Sequence, residues 1–440
     1  MMEAQAMTVS PRAEPRVMND GERSGIERVN PLLQISPTRP TSVAAELALR
    51  ERGIDVTEEA RALNGTEKLS LLRSVDRHFD ATPQEQALHC DFHDAVRTTW
   101  AKINPLRPEN VARYRSFGDA IKSGNPQLMP VAQSQGAGYV LCCAGGSGGL
   151  RFVERTTQVL GSSMSVLPVG DDTFIPYWPA MVVHWPACGT LDQFQANFIS
   201  VFDGNARDSQ YFRTVFRASA KRATRPIYVT ALASIVNVGV LFVVGASSSN
   251  FKEDKSRNIL GYLEEFMRRT GIVVVFVCTA PVYEKLEHMG TICSSLTTGG
   301  MEEIQWLDTK SKFFQTINLN LLNQGLMWDT YDEVPGYLLN VASKCTYGSR
   351  EALNTFYRYL HIAAVRAKAK QPSEQLIESV VKVFMRQTNQ LQKVGGFLGE
   401  FYAKQNERNG KSGPTTKLPD GRVWEDFLAL QTLELMGLAG

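Results

Sequence analysis

No apolar run in this sequence is long enough to cross a bilayer. The longest, around 238–244 and 272–280, fall far short of the ~20 residues a spanning helix requires, which sets an integral membrane protein aside. Neither sign of charge is in excess: 47 Lys and Arg stand against 45 Asp and Glu, a formal net charge of +2. No global basic field announces a nucleic-acid partner, so such a partner would have to be held by a local stripe. A disulfide framework is missing too. Seven cysteines are an odd number at irregular spacings with no secretory leader, and the expectation is reduced thiols in a cytoplasmic protein. What is present is apolar material. With 43% hydrophobic and 21% charged residues, the composition supports a packed core and excludes wholesale disorder. At ~150 residues per domain, the length allows two or three domains.

Residues 1–40 carry PRAEPR, scattered charges and SPTRPTS without apolar periodicity, and read as a disordered arm. From 41 to 130 the pattern is helical, as in SVAAELALRERG and TEKLSLLRSVDRHF. Between 131 and 312, β-rich runs (YVLCCA, MVVHW, VGVLFVV, IVVVFVC) alternate with helix-like stretches at 190–202 and 256–269. Continuous Val, Ile and Phe strands separated by helices are what a parallel sheet covered on both faces requires, so the fold class is α/β, a three-layer α/β/α core. A helical lid follows from 313 to 403. There SREALNTFYRYLHIAA sets Leu353, Phe356, Leu360 and Ala364 on one face, and PSEQLIESVVKVF does the same with Leu376, Val380 and Phe384. Ser349 and Ser373 are the expected N-caps. Residues 404–440 are a polar tether ending in an apolar-rich helix, VWEDFLALQTLELM. No internal repeat is visible.

After YVLCCA comes GGSGGLRFVERTTQVL, a glycine-rich turn opening a helix. That placement lets backbone N–H groups and the helix N-terminus cradle phosphates. Gly145, Ser147 and Gly148 fit the start of a phosphate loop, with Gly149 behind them. The complete motif also needs a final glycine, a lysine and a Ser or Thr for magnesium; those places hold Leu150, Arg151 and Phe152. Phe152 cannot ligate a cation, and the forked guanidinium of Arg151 does not replace an ammonium at a packed phosphate site. Two readings stand, a ligand-free strand-to-helix turn or a loop with residual nucleotide binding. Downstream, VGVLFVVGASSSN ends in Gly245 and Ala246, where a nucleotide motor carries the acidic pair that holds metal and orients water. Glu253 and Asp254 follow on what reads as a solvated loop or helix start. IVVVFVCTAP ends at Thr279, whose hydroxyl would either contact an outer phosphate or cap the turn before Pro281. Gly348-Ser349-Arg350 opens the lid helix in a G-x-R pattern that aims an arginine at phosphates, with pairing inside the lid as the alternative. No arginine lies between Arg269 and Arg350, the interval in which ring-forming ATPases carry the arginine that reaches a neighbour's site.

Taken together, the G-x-S-G loop, the LFVV segment followed by a helix, the strand ending C-T-A-P and the lid sequence TYGSREALNTFYRYLHIAA resemble the TnsC/TniB-type AAA+ regulators of transposition. The resemblance covers roughly residues 30–395 and lies in order and spacing, since the catalytic letters have changed. It implies an AAA+ P-loop parallel-sheet core with a helical lid, ATP binding, assembly into rings or filaments on duplex DNA, and a link between a target-selection protein and the transposase. Position by position, Gly145, Gly148 and Arg151 take the phosphate-contacting places, Phe152 and Gly245 the metal-ligand places, Ala246 that of the catalytic glutamate, and Thr279 and Arg350 the sensor places. With those letters changed, the expectation is a pseudo-ATPase with no resident cofactor, weak residual binding of ATP or ADP, and no magnesium.

The segment RDSQYFRTVFRASAKRATR spaces Arg213, Arg217 and Lys221 at i, i+4 and i+8, one helical face, with Arg222 and Arg225 at its end. Such a stripe can follow a phosphate backbone without reading sequence; a solvated face is the plain alternative. Trp424, Phe427, Leu428 and Leu435 on the tethered helix form a partner-binding hook or fold back on the lid. His89, Cys90, Asp91 and His93 crowd one stretch but lack the second ligand pair of a zinc site. Cys142 and Cys143 read as buried thiols, and Cys188 and His184 flank WPA without a nucleophile's partners. The expected function is a catalytically degenerate AAA+ adaptor of a transposon system. It would assemble on double-stranded target DNA as a homo- or hetero-oligomer, link target selection to the transposase, and reside in the bacterial cytoplasm, nucleoid-associated when on DNA. An active AAA+ paralogue is a further candidate partner. The alternatives are an active but divergent DNA-stimulated ATPase and an interaction scaffold that does not touch DNA.

Overall fold

The computed structural model describes residues 30–169, 174–205 and 225–384. The described residues begin inside the segment expected to be an arm. Asn30 caps α1 (Pro31–Ile35), accepting from the Leu32 amide and donating to the Trp100 carbonyl at 2.8 Å. Leu32 and Leu33 are buried. The expectation of disorder up to 40 is corrected for this stretch: five residues are too few to show a helical period, yet a cap, a proline at the first turn and two buried leucines suffice to dock it.

Short helices α2 (Ser42–Leu49), α3 (Glu58–Ala62) and α4 (Gly65–Leu71) lead through a tight 3-10 segment, Leu72–Arg77, to the long α5 (Pro83–Lys102). A capping box starts α5: the Thr82 hydroxyl accepts from the Glu85 amide at 3.2 Å and the Glu85 carboxylate accepts from the Thr82 amide at 2.7 Å. Helix α6 (Pro108–Ser123) stops at Gly124 in the left-handed region.

The core follows as β1 (Gly138–Cys143), α7 (Gly149–Leu160), β2 (Ser165–Pro168), β3 (Phe174–His184), α8 (Leu191–Asn205), α9 (Arg225–Ile235), β4 (Val238–Ala246), α10 (Glu253–Thr270), β5 (Val273–Cys278), α11 (Ala280–Glu287), α12 (Thr291–Leu296) and β6 (Gly300–Ile304). The strands form one sheet in the order β2-β3-β4-β5-β1-β6. All neighbours are parallel except β2, which pairs antiparallel with β3. Successive side chains go to opposite faces. Val140, Val243, Val274 and Phe276 join α8 to α12 on one side, while Leu141, Phe242, Val244 and Val275 meet Phe92 of α5 and Phe152 and Val153 of α7 on the other. Strands buried on both faces need the unbroken apolar runs seen in the sequence.

The lid comprises α13 (Lys312–Leu322), α14 (Gly336–Thr346) and α15 (Arg350–Ala367), with a further helix from 374 to 384. Ser349 and Ser373 cap the last two as expected, accepting from the Ala352 and Leu376 amides. Ile54, Leu72 and Val75 pack into the lid's own core beside Leu353 and Phe356. The helical region before the sheet therefore divides: α5 covers the sheet, and the 3-10 segment clamps the lid. The architecture is a three-layer α/β/α core on a mostly parallel six-stranded sheet, followed by helices.

Candidate functional site: the closed glycine loop

Strand β1 lies between β5 and β6, while the chain leaving it re-enters the sheet at the far side of β4. Open α/β sheets take ligands at the carboxyl ends of strands at such a switch point. The turn there takes backbone conformations that favour glycine. Gly146 and Gly148 have φ of +72° and +88°, a region that costs side-chain-bearing residues strain, and Gly148 is the N-cap of α7. The shape expected from the sequence is present.

The lid sits directly on this turn. The Ser349 hydroxyl donates to the Gly146 carbonyl at 3.2 Å, the Glu351 amide donates to the same oxygen at 3.3 Å, and the Trp306 indole N–H donates to the Gly145 carbonyl at 2.6 Å. A Cβ on Gly148 would lie 3.0 Å from Cδ of Arg350 and 3.7 Å from the Phe79 ring. Arg350 is spent on a neighbour. Its Nη2 donates to Oε2 of Glu85 at 2.7 Å, with side chains only 7% and 1% exposed, and its guanidinium lies 5.0 Å from the Phe79 ring centroid.

The remaining motif positions face elsewhere. Arg151 reaches Glu51 at 2.5 Å and Glu154 at 2.7 Å, holding the segment after α2 against α7. Phe152 is fully buried, its ring 6.4 Å from that of Phe92. At the end of β4, Gly245 has φ +83° and begins a turn closed by Asn250, which donates to the Gly245 carbonyl at 2.9 Å and accepts from the Ser247 amide at 2.8 Å. Ala246 is buried. These residues do not fit magnesium, because a buried phenyl ring and a glycine stand where its oxygen donors would be, and an alanine stands where a carboxylate would orient water. Glu253 and Asp254 are exposed in the first turn of α10, where the helix N-terminus favours their charge. Two hydroxyls beside the turn, Ser147 Oγ and Thr279 Oγ1, are buried without a hydrogen-bond partner, as are Nε and Nη1 of Arg350 and Oε1 of Glu85. Thr279 stands at the N-cap of α11, but its side chain makes no capping bond.

Acidic groups stand beside the loop, Glu351 Oε2 lying 3.8 Å from the place a Cβ on Gly146 would take. Although Glu351 touches solvent, desolvation in the cleft and the charge of Asp76 raise its carboxyl above the ordinary value. Asp76 is itself raised by burial, against the pull of Arg358. Burial works against the Asp80 charge, but His78, Asn320 and Arg50 outweigh it and hold the carboxyl down at about 2. Burial, with the Glu85 charge, pushes the Cys143 thiol up to about 12. Glu85, Glu51 and Phe79 were not foreseen as site residues. Only Glu85 left a trace, as the third helical residue of the Thr82 capping box.

Of the basic stripe, Arg213, Arg217, Lys221 and Arg222 lie outside the described residues; Arg225 opens α9 and donates to Asp192 on α8 at 2.7 Å. The hook residues Trp424, Phe427, Leu428 and Leu435 also lie outside. His89 and His93 are buried with their Nε2 atoms 3.1 Å apart, and His89 Nδ1 is 3.3 Å from the Thr156 hydroxyl. Cys90 Sγ donates to the Pro40 carbonyl, and Asp91 pairs with Arg39. Among the described residues no three His, Cys, Asp or Glu are placed to hold a metal. Cys142 is fully buried and Cys143 half-buried; exposed Cys188 lies 3.1 Å from the Thr190 hydroxyl, which lowers its pKa.

No known family's model matches the chain, and no curated protein does. Among solved structures, domain III of the replication initiation protein DnaA from Thermotoga maritima is similar at 11% identity over 63% of this chain and 93% of that one, with a TM-score of 0.33. The Aeropyrum pernix ORC2 protein is similar at 12% identity over 77% and 87%, with a TM-score of 0.37. Drosophila ORC bound to poly(dA/dT) DNA and Cdc6 gives 13% identity over 62% and 42%, with a TM-score of 0.35. Likeness this loose carries no functional argument. No helix among the described residues is long and apolar enough to cross a membrane.

Proposed function

We propose that this chain is a catalytically degenerate AAA+ adaptor of a transposon system, which assembles on target DNA and links target selection to the transposase. One observation carries the degenerate part: the glycine loop is covered by the lid, with Arg350 committed to Glu85 and no oxygen donor at the two metal-ligand places or at that of the catalytic glutamate. A loop in this state supplies an architecture for assembly rather than a hydrolytic centre. The adaptor role rests on the sequence resemblance and on the basic spacing of Arg213, Arg217 and Lys221.

The test measures ATP turnover by the purified full-length protein with and without duplex DNA, beside Arg151→Ala. The expected outcome is no DNA-stimulated turnover above the variant. Duplex binding is expected to weaken steeply with salt, and Arg213→Ala with Arg217→Ala to reduce the slope by about 2, near one unit for each phosphate left without its arginine. DNA-stimulated turnover well above Arg151→Ala would overturn the degenerate reading, and a salt slope unchanged by the pair of substitutions would overturn the DNA reading. A second reading, a divergent ATP-binding protein, is favoured by the buried unpartnered hydroxyls of Ser147 and Thr279. It predicts that ATP raises thermal stability by binding only the folded state, an effect lost in Ser147→Ala.

A further inference from the structure

At the edge of the sheet where the strands begin, away from the glycine loop, lies a cavity of about 280 Å³. Its walls include Lys102 at the end of α5, Asn110, Arg113 and Ser116 of α6, Ser134 before β1, and Thr270 at the end of α10. Arg113 is fixed there. Its Nη2 donates to the Arg269 carbonyl at 2.6 Å and to the Thr270 carbonyl at 2.8 Å, and its guanidinium lies 5.6 Å from the Phe117 ring centroid.

Those bonds hold the guanidinium but leave its charge without a counter-ion among the described residues. The carbonyl end of α10 offers only a partial negative charge. Nε of Arg113 is buried with no partner, and no carboxylate of the described residues lies within ion-pair distance. Burial depresses its pKa, as expected of a cation taken out of water unpaired. Glu109, four residues earlier on the same helix, lines the cavity yet is exposed and makes no ion pair with it. Lys102, on the same wall, is also without an ion pair among the described residues.

Two cations without ion pairs among the described residues, and one exposed carboxylate, line the same concave space. With Nη2 held by α10, a guanidinium and an ammonium lining one cavity suit the charge of a phosphate dianion better than that of a single carboxylate. A cavity of this size is near the lower end for small-molecule sites. We propose that the cavity between α5, α6 and the end of α10 is a binding site for a small phosphorylated molecule, with Arg113 and Lys102 as the phosphate-holding residues.

Isothermal titration calorimetry of the full-length protein with inorganic phosphate tests this, with acetate as the carboxylate comparator. Saturable binding of one phosphate is expected, weakened at least tenfold in Lys102→Gln and in Arg113→Gln, with acetate binding more weakly. Lys102 lies at the surface, so its variant keeps the test decisive if Arg113→Gln fails to fold through loss of its bonds to α10. Absence of phosphate binding by the unmodified protein, binding unchanged in Lys102→Gln, or acetate binding as tightly as phosphate would overturn the proposal.

Discussion

At the scale of single residues, the pair formed by Arg350 and Glu85 decides how the lid meets the core. Both side chains are almost wholly buried, and two charges in that setting are far costlier apart than together. Removing one partner of a buried pair leaves an uncompensated charge and typically costs about 3–5 kcal/mol. Arg350→Ala is therefore expected to lower unfolding stability by that order in urea titrations. Pairing it with Glu85→Gln should restore most of the loss, because the stranded carboxylate is gone. A double variant no more stable than Arg350→Ala would show that the cost comes from lost packing on Phe79 instead. From the sequence Arg350 reads either as a phosphate sensor or as a residue paired inside the lid, and neither reading points to Glu85. A capping glutamate is ordinarily a local device, and only the fold brings residue 85 to residue 350.

Among elements, the start of α15 is the junction that closes the glycine loop. Ser349 serves two partners at once, accepting from the Ala352 amide at 3.4 Å and donating to the Gly146 carbonyl at 3.2 Å. The residue before the cap, Gly348, has φ +85°, and a Cβ there would lie 2.0 Å from the Leu307 carbonyl oxygen. Ser349→Ala removes the cap and the bridge together. Loss of an N-cap alone costs roughly 1 kcal/mol. The expected result is about 1–2 kcal/mol less stability and faster hydrogen exchange at the amides of 145–149, with the exchange of β4 unchanged. Equal acceleration in β4 would mean that the lid and sheet open as one unit. The elements themselves were readable where one period dominates. The runs at β1, β4 and β5 and the faces of α10 and α15 stand out because a strand covered on both sides, or a helix with one buried stripe, needs an unmistakable pattern. The edge strands β2 and β6 did not stand out, since SVLP and GMEEI are short and pair on few sides. That Phe152, Gly245 and Ala246 offer no oxygen donor was legible letter by letter. The occupation of the loop by Ser349, Trp306 and Phe79 was not, because it joins residues more than 60 positions from the turn.

Across the whole molecule, buried imidazoles link the packing of separate layers to acid stability. Burial holds His89 at about 3 and His93 at about 4, where α5 meets α7, with the charge of His93 adding to the effect on His89. In the lid, burial holds His361 at about 4 against its bond to the Leu321 carbonyl. An unfolded imidazole titrates near 6.5. Between about pH 6.5 and 4 the unfolded chain therefore binds up to three more protons than the folded one, and stability falls as the pH falls. Three such groups set a slope of roughly 4 kcal/mol per pH unit near pH 5, since each differential proton contributes about 1.36. Asp80 acts in a lower window. Its folded value of about 2 against an unfolded 3.8 means its contribution is complete above 3.8 and is lost as the pH drops toward 2. Urea midpoints at pH 7, 6 and 5 should thus fall with increasing steepness before the carboxylates begin to protonate. Trp328, whose ring lies 5.2 Å from His361, reports the lid's share of the transition by fluorescence. His361→Gln keeps a donor for the Leu321 carbonyl and removes one titrating group, so it should flatten the slope near pH 5 by about one third. A midpoint that stays level from pH 6.5 to 5 would mean that the three rings accept protons in the folded state, and that the layers around them open to water without unfolding.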